Sequence, residues 1–176
     1  MARILVGAAL LAAVSLTSPV AAADPGRIPD LSSYTAVDIQ DYNTYYNYPT
    51  TNGAQFATPG GYRCRITYTG RANPPMKQAS CWGELPGTSS NSVRVFAAMQ
   101  LDPATFSTGD LAGMEKYTDY KEPRDRTVDP ADYKLLPAGS KLVYPDTGTC
   151  AVTDVSTVCV VGDHGFELSE KGSRVF

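Results

Sequence analysis

Tyr62-Arg63-Cys64-Arg65-Ile66-Thr67-Tyr68, followed after a connection holding Asn73-Pro74-Pro75 by Ala79-Ser80-Cys81-Trp82, is the stretch on which the fold turns. Both runs are strand-like, and turn-forming residues bound them, with Pro59-Gly60-Gly61 ahead of the first. They read as the two arms of a hairpin, with a cysteine on each arm. Thr149-Cys150-Ala151-Val152-Thr153 and Thr157-Val158-Cys159-Val160-Val161 repeat the arrangement. In both hairpins a proline stands five residues before the first cysteine and a hydrophobe-Thr pair follows it (Ile66-Thr67, Val152-Thr153). Shared turn chemistry accounts for that echo as readily as a duplication does.

The chain has four cysteines, Cys64, Cys81, Cys150 and Cys159. Three pairings are open, and the spacing favours the local ones, Cys64 with Cys81 and Cys150 with Cys159. Opposed positions on neighbouring strands have Cβ atoms about 4.5–5.5 Å apart, near the disulfide range. A metal site is not expected, because there is no C-x-x-C and the one histidine does not complete a zinc set. No cofactor motif occurs: the glycine pairs lack both the P-loop and the dinucleotide-binding spacing.

Working outward, 15 glycines and 13 prolines in 176 residues argue for many short strands rather than a helical bundle. Ala54–Thr58 is a strand candidate around Phe56, and Leu135–Tyr144, Gly165–Leu168 and Arg174–Phe176 are others. Ser92–Leu101 is the best central strand, with Val93, Val95 and Ala97 on one side, Arg94 and Phe96 on the other, and a wholly apolar finish as in a strand buried on both faces. Single helical turns are expected near Val37-Ile39-Tyr42 and Leu111-Met114-Glu115. The fold class is therefore all-β, a small barrel or sandwich with two disulfide-clipped hairpins. Residues 102–132 mix acids, bases and three prolines, and are expected to be an irregular surface excursion. Residues 24–53 are expected to be an extended Tyr-rich N-terminal segment, and residues 54–176 the globular domain.

Residues 1–23 have the layout of a cleaved secretory signal: Arg3, an apolar stretch from Ile4 to Leu16, then Ala21-Ala22-Ala23 before Asp24. The apolar stretch is shorter than the roughly 20 residues that span a bilayer. The expectation is a protein secreted or associated with the cell envelope, with no integral membrane span after processing. Its net charge of −3 argues against nucleic-acid binding.

Arg27-Ile28-Pro29-Asp30-Leu31-Ser32-Ser33-Tyr34 and the F-x-T-P-x-G-x-x-C element at 56–64 resemble small secreted proteins of mycobacteria and related actinobacteria. So do the C-x-G-x-x-P-G element at 81–87, the Leu136-Pro137-Ala138-Gly139 stretch, the C-x(8)-C pair at 150–159 and the G-F-x-L-S element at 165–169. The resemblance implies export, two local disulfides and one compact β-rich domain. It carries over no catalytic residue. The Cys64–Cys81 spacing is longer here than is common in that family.

Candidates for chemistry are few. His164 with Asp163 and Ser169 or Ser173 does not make a triad, since neighbours on a strand point to opposite faces. Eight acids between Asp102 and Asp132 are interleaved with Lys116, Lys121, Arg124 and Arg126, the pattern of a self-neutralising surface. The favoured expectation is a monomeric, non-enzymatic binding or surface module. The alternative is a small hydrolase using paired carboxylates of the 102–132 region. The candidate binding patch is Tyr42, Tyr45, Tyr46 and Tyr48 together with Trp82, because tyrosine and tryptophan give rigid amphipathic contact surface for a glycan, a lipid or a protein at the cell surface.

Overall fold

A computed structural model describes residues 27–176; the expected signal peptide lies outside the described residues. The chain forms fourteen strands among those residues: β1 (Thr35–Ala36), β2 (Tyr45–Asn47), β3 (Thr51–Ala57), β4 (Arg63–Thr69), β5 (Met76–Trp82), β6 (Ser92–Ala97), β7 (Leu101–Ser107), β8 (Lys116–Asp119), β9 (Arg124–Thr127), β10 (Ser140–Tyr144), β11 (Gly148–Val152), β12 (Ser156–Val161), β13 (His164–Ser169) and β14 (Gly172–Val175). One helical turn, α1 (Leu111–Met114), and two 3₁₀ turns at Ile39–Asp41 and Pro130–Asp132 complete it.

The strands form two sheets, and neither closes into a barrel. The larger has the order β7-β6-β5-β4-β3-β2-β8-β9, and the smaller β1-β10-β11-β12-β13-β14. Their inner faces pack as a sandwich. Phe56, Ile66, Val93 and Val95 from one meet Leu142, Val152, Phe166 and Leu168 from the other in a single core. Cys64 pairs with Cys81 and Cys150 with Cys159 as disulfides, each linking directly opposed residues of a hairpin. Both cystines point inward and meet, with Cys81 Sγ 3.9 Å from Cys159 Sγ. The mid-plane of the sandwich is thus a sulfur stack, closed on each side by branched and aromatic side chains. Among the described residues no helix is long and apolar enough to cross a membrane, and the two disulfides fit an oxidising environment.

Three sequence expectations need correction. The run Ser92–Leu101 is not one strand: Ala98 N donates to Gln100 O, Met99 is exposed, and the chain reverses into β7. An apolar run cannot by itself show where a strand turns, and Arg94 on its outer face is exposed. The 102–132 region is not irregular. It holds most of β7, α1 and the β8–β9 hairpin, which pairs through Asp119 with Asn47 of β2 and extends the large sheet. Its charges fit an edge position, where they discourage further pairing. Finally, the boundary expected between residues 53 and 54 falls inside β3, and the Tyr-rich segment is part of the sandwich. There β1 pairs with β10, and β2 pairs with β3 and β8.

Candidate binding site

The disulfide register sets the chemistry of the large sheet. With Cys64 opposite Cys81, Arg63 must lie opposite Trp82 and Arg65 opposite Ser80. The neighbouring strands continue these pairs into two rows, Gln55–Arg65–Ser80–Arg94 and Ala57–Arg63–Trp82–Ser92. Side chains alternate along a strand, so rows flanking the inward cysteines stand on the outer face.

Topology then covers part of that face. β7 lies at one edge of the large sheet and β8 near the other, so residues 108–115 cross over the outside of the strands between. Asp110 caps α1, its side chain accepting from Ala112 N at 3.0 Å. The strap then sets Glu115 down on the sheet, buried. Glu115 Oε1 accepts from Arg63 Nε at 2.5 Å and from Trp82 Nε1 at 2.8 Å, and Oε2 accepts from the Tyr133 hydroxyl. Three donors on one buried carboxylate satisfy a charge that would otherwise be costly to bury. Burial pushes the Tyr133 phenol well above the ordinary tyrosine value, against the pull of Arg65.

Arg65 lies next to this cluster and is only 8% exposed. Its Nη2 donates to Gln55 Oε1 at 3.2 Å, to the Tyr133 hydroxyl at 3.3 Å and to Met114 O at 3.4 Å. The guanidinium carbon is 3.9 Å from the centre of the Tyr45 ring and 5.0 Å from that of Trp82. Gly53 makes room for this stack. It is opposite Tyr45 in the register, and a Cβ there would lie 2.6 Å from Ile66 O and 3.3 Å from the Tyr45 ring.

Two cavities open on either side of Arg65 and share Arg65 and Gln78. One, of about 270 Å³, is bordered by Ser80, Trp82, Ser92 and Arg94; the other, of about 200 Å³, by Tyr45, Thr67, Thr69 and Phe96. Together they make a cleft whose floor is sheet and whose side chains are hydroxyls, amide, guanidinium and aromatic edges. A larger groove of about 770 Å³ lies between loops at one end of the sandwich. Glu84, Asp154 and Glu170 rim it, all exposed, and no basic residue borders it. It has room but no convergent buried polar groups, so the smaller cleft is the better built site.

The expected tyrosine patch does not assemble as one exposed surface. Tyr42 is buried, its hydroxyl donating to Leu135 O at 3.1 Å. Tyr45 is buried under Arg65, and Trp82 is buried on Glu115. Tyr45 and Tyr46 are adjacent on β2 and so face opposite ways. Tyr46 is half-buried, with Lys121 Nζ 3.3 Å from its ring centre, and Tyr48 alone is largely exposed at 69%. Of the patch, Tyr45 and Trp82 border the cleft.

The acids of the 102–132 region are mostly engaged in structural contacts. Asp119 is buried and binds Arg126 Nε at 2.6 Å and the backbone N–H groups of Lys121 and Glu122. Burial pushes its carboxyl up, but those donors together hold it below the ordinary aspartate value. Asp110 and Asp129 cap turns, Glu122 pairs with Arg124 and Arg126, Asp125 accepts from Thr118, and Asp102 accepts from Gln100. Ser169 and Ser173 lie toward the other end of β13 from His164 and are engaged too: Ser169 bonds Gly172 O and Ser173 bonds Pro86 O. No family model matches the chain, and neither a curated protein nor a solved structure similar to it was found.

Proposed function

We propose that this chain is an exported, non-enzymatic binding module that works outside the cytoplasm, at the cell envelope or in the medium. The observation that carries this reading is the outer-face cleft. A row of polar side chains on paired strands, roofed at one end by a strap that a buried carboxylate fastens, is a rigid recognition surface. The structural engagement of the acids supports binding over hydrolysis. Glu115 has both oxygens occupied by Arg63, Trp82 and Tyr133, which is the setting of a fixed anchor rather than of a proton donor. The two cystines support export.

The test has two arms. Mass measurement of protein recovered from the culture medium, with and without reduction, is expected to show a start at Asp24 and no free thiols. The purified protein is then applied to an array of immobilised oligosaccharides beside a Ser80→Trp variant, whose indole fills the cleft between Arg65 and Arg94. Binding by the parent that the variant loses, without turnover of the bound sugar, is the expected result. Retention in the cytoplasm with free thiols, or product release from an array member, would overturn the reading.

A further inference from the structure

Arg65 is a buried cation without a counter-ion of its own. Among the described residues no carboxylate lies within salt-bridge distance of its guanidinium, and every acceptor of Nη2 is neutral. The nearby buried acid, Glu115, is already paired with Arg63. Nε has no partner and is sealed from solvent, and Nη1 has no protein partner either. The aromatic rings beside it favour the charge but carry no counter-charge. A charge this buried is ordinarily paired with an acid; Nε is out of reach, and Nη1, which is not sealed, is the donor that a ligand in the cleft can reach.

The surroundings say what kind of acceptor belongs there. The chain has a net charge of −3, yet neither cavity beside Arg65 has an acid in its lining. Arg94 stands on the same row, two strands away, which places the two arginine backbones roughly 10 Å apart. Ser80 lies between them, and Gln78 borders both cavities. A planar guanidinium with free N–H groups suits a carboxylate, and the hydroxyl and amide groups around it suit a polyhydroxylated chain.

We infer that the cleft takes an oligosaccharide bearing carboxylate groups, with one carboxylate seated on Nη1 of Arg65 and the chain running past Ser80 toward Arg94. This inference rests on the binding-module reading and names its ligand class. Two arginines this far apart match repeated acids along a chain better than a single compact anion.

Trp82 is the only tryptophan and borders the cleft, so its fluorescence reports occupancy directly. The experiment titrates the protein with an oligogalacturonate, with its neutral methyl ester, and with the acid form in the presence of inorganic phosphate. The acid form is expected to give a saturable change and the ester at least tenfold weaker binding. Arg94→Glu, on an exposed side chain, is expected to weaken the acid form at least tenfold. Arg65→Gln is expected to abolish binding while the disulfides and the circular dichroism spectrum are kept. Equal affinity for acid and ester would overturn the inference and leave the binding reading standing. Displacement of the oligogalacturonate by equimolar phosphate would overturn it in favour of a simple phosphate site. Silence with both sugars would overturn it as well, and silence of the oligosaccharide array too would take the binding reading with it.

Discussion

The two cystine hairpins are alike on their inner faces and unlike on their outer ones. Each places a disulfide between directly opposed residues, and the two disulfides touch at the centre of the sandwich. Outside, β4–β5 presents Arg63, Arg65, Thr67, Ser80, Trp82 and Gln78, whereas β11–β12 presents Thr149, Ala151, Val158 and Val160. Thr149 and Val160 of the second hairpin border a recess of about 360 Å³ that the segment around Ile28–Leu31 also lines. The first hairpin instead lies under the β7–β8 strap and keeps an open cleft. Packing the sandwich demands only the inner faces, so the buried arginine, carboxylate and indole of the first hairpin exceed what the fold requires. That excess is the physical ground for placing function there.

Four comparisons test this difference, in descending order of expected effect. Glu115→Ala leaves Arg63, the Trp82 N–H and the Tyr133 hydroxyl without their shared acceptor; a loss of about 3–5 kcal/mol is expected in urea unfolding. Val160→Thr, on the outer face of the other hairpin, is expected to cost less than about 1 kcal/mol, near the range of surface substitutions. Replacing each cystine by two serines separates the hairpins next. Loop closure over 17 and 9 residues predicts losses of about 3.1 and 2.6 kcal/mol, so the first hairpin depends slightly more on its bond. Equal or inverted losses would show that strand packing, not loop entropy, decides.

Gly53→Val comes third. Its Cβ collides with Ile66 O and crowds Tyr45, so a loss of about 1–3 kcal/mol and altered Trp82 fluorescence are expected together. A loss of stability with an unchanged fluorescence spectrum would detach Gly53 from the cleft. The smallest effect concerns acid. Asp119 has a folded pKa below its unfolded one, so its contribution is present above about pH 3.9 and is lost as pH falls through the folded value. Asp119→Asn is expected to flatten that part of the pH–stability curve, and to leave the region above pH 5 sloping as in the parent. An unchanged slope below pH 4 would remove Asp119 from the account.

The all-β class and both disulfides were legible because the cysteine runs carry strand composition, turn punctuation and hairpin spacing together; the choice of sandwich over barrel was not, since it depends on how distant strands pair. The single turns near Ile39 and Leu111 were legible from their locally spaced apolar residues; the caps on them, Asp38 and Asp110, were not read from the sequence. The site was legible only in part. Trp82 and Tyr45 stood out as aromatic residues, but their burial depends on neighbours far away in sequence. Arg63, Arg65 and Ser80 were within reach. Once Cys64 is set opposite Cys81, strand alternation places them together on the other face. Glu115 was not, because nothing local distinguishes it from the acids around it. Only the path of the chain from one sheet edge to the other brings it onto Arg63 and Trp82, a long-range consequence of topology.

Residue-resolved amide shift mapping, with an oligogalacturonate added to the isotope-labelled protein, locates the binding face. Shifts are expected on Arg65, Gln78, Ser80, Trp82 and Arg94, with Thr149, Ala151, Val158 and Val160 unmoved. Shifts centred on the second hairpin, or on the acid-rimmed groove around Glu84, Asp154 and Glu170, would contradict this placement of the site.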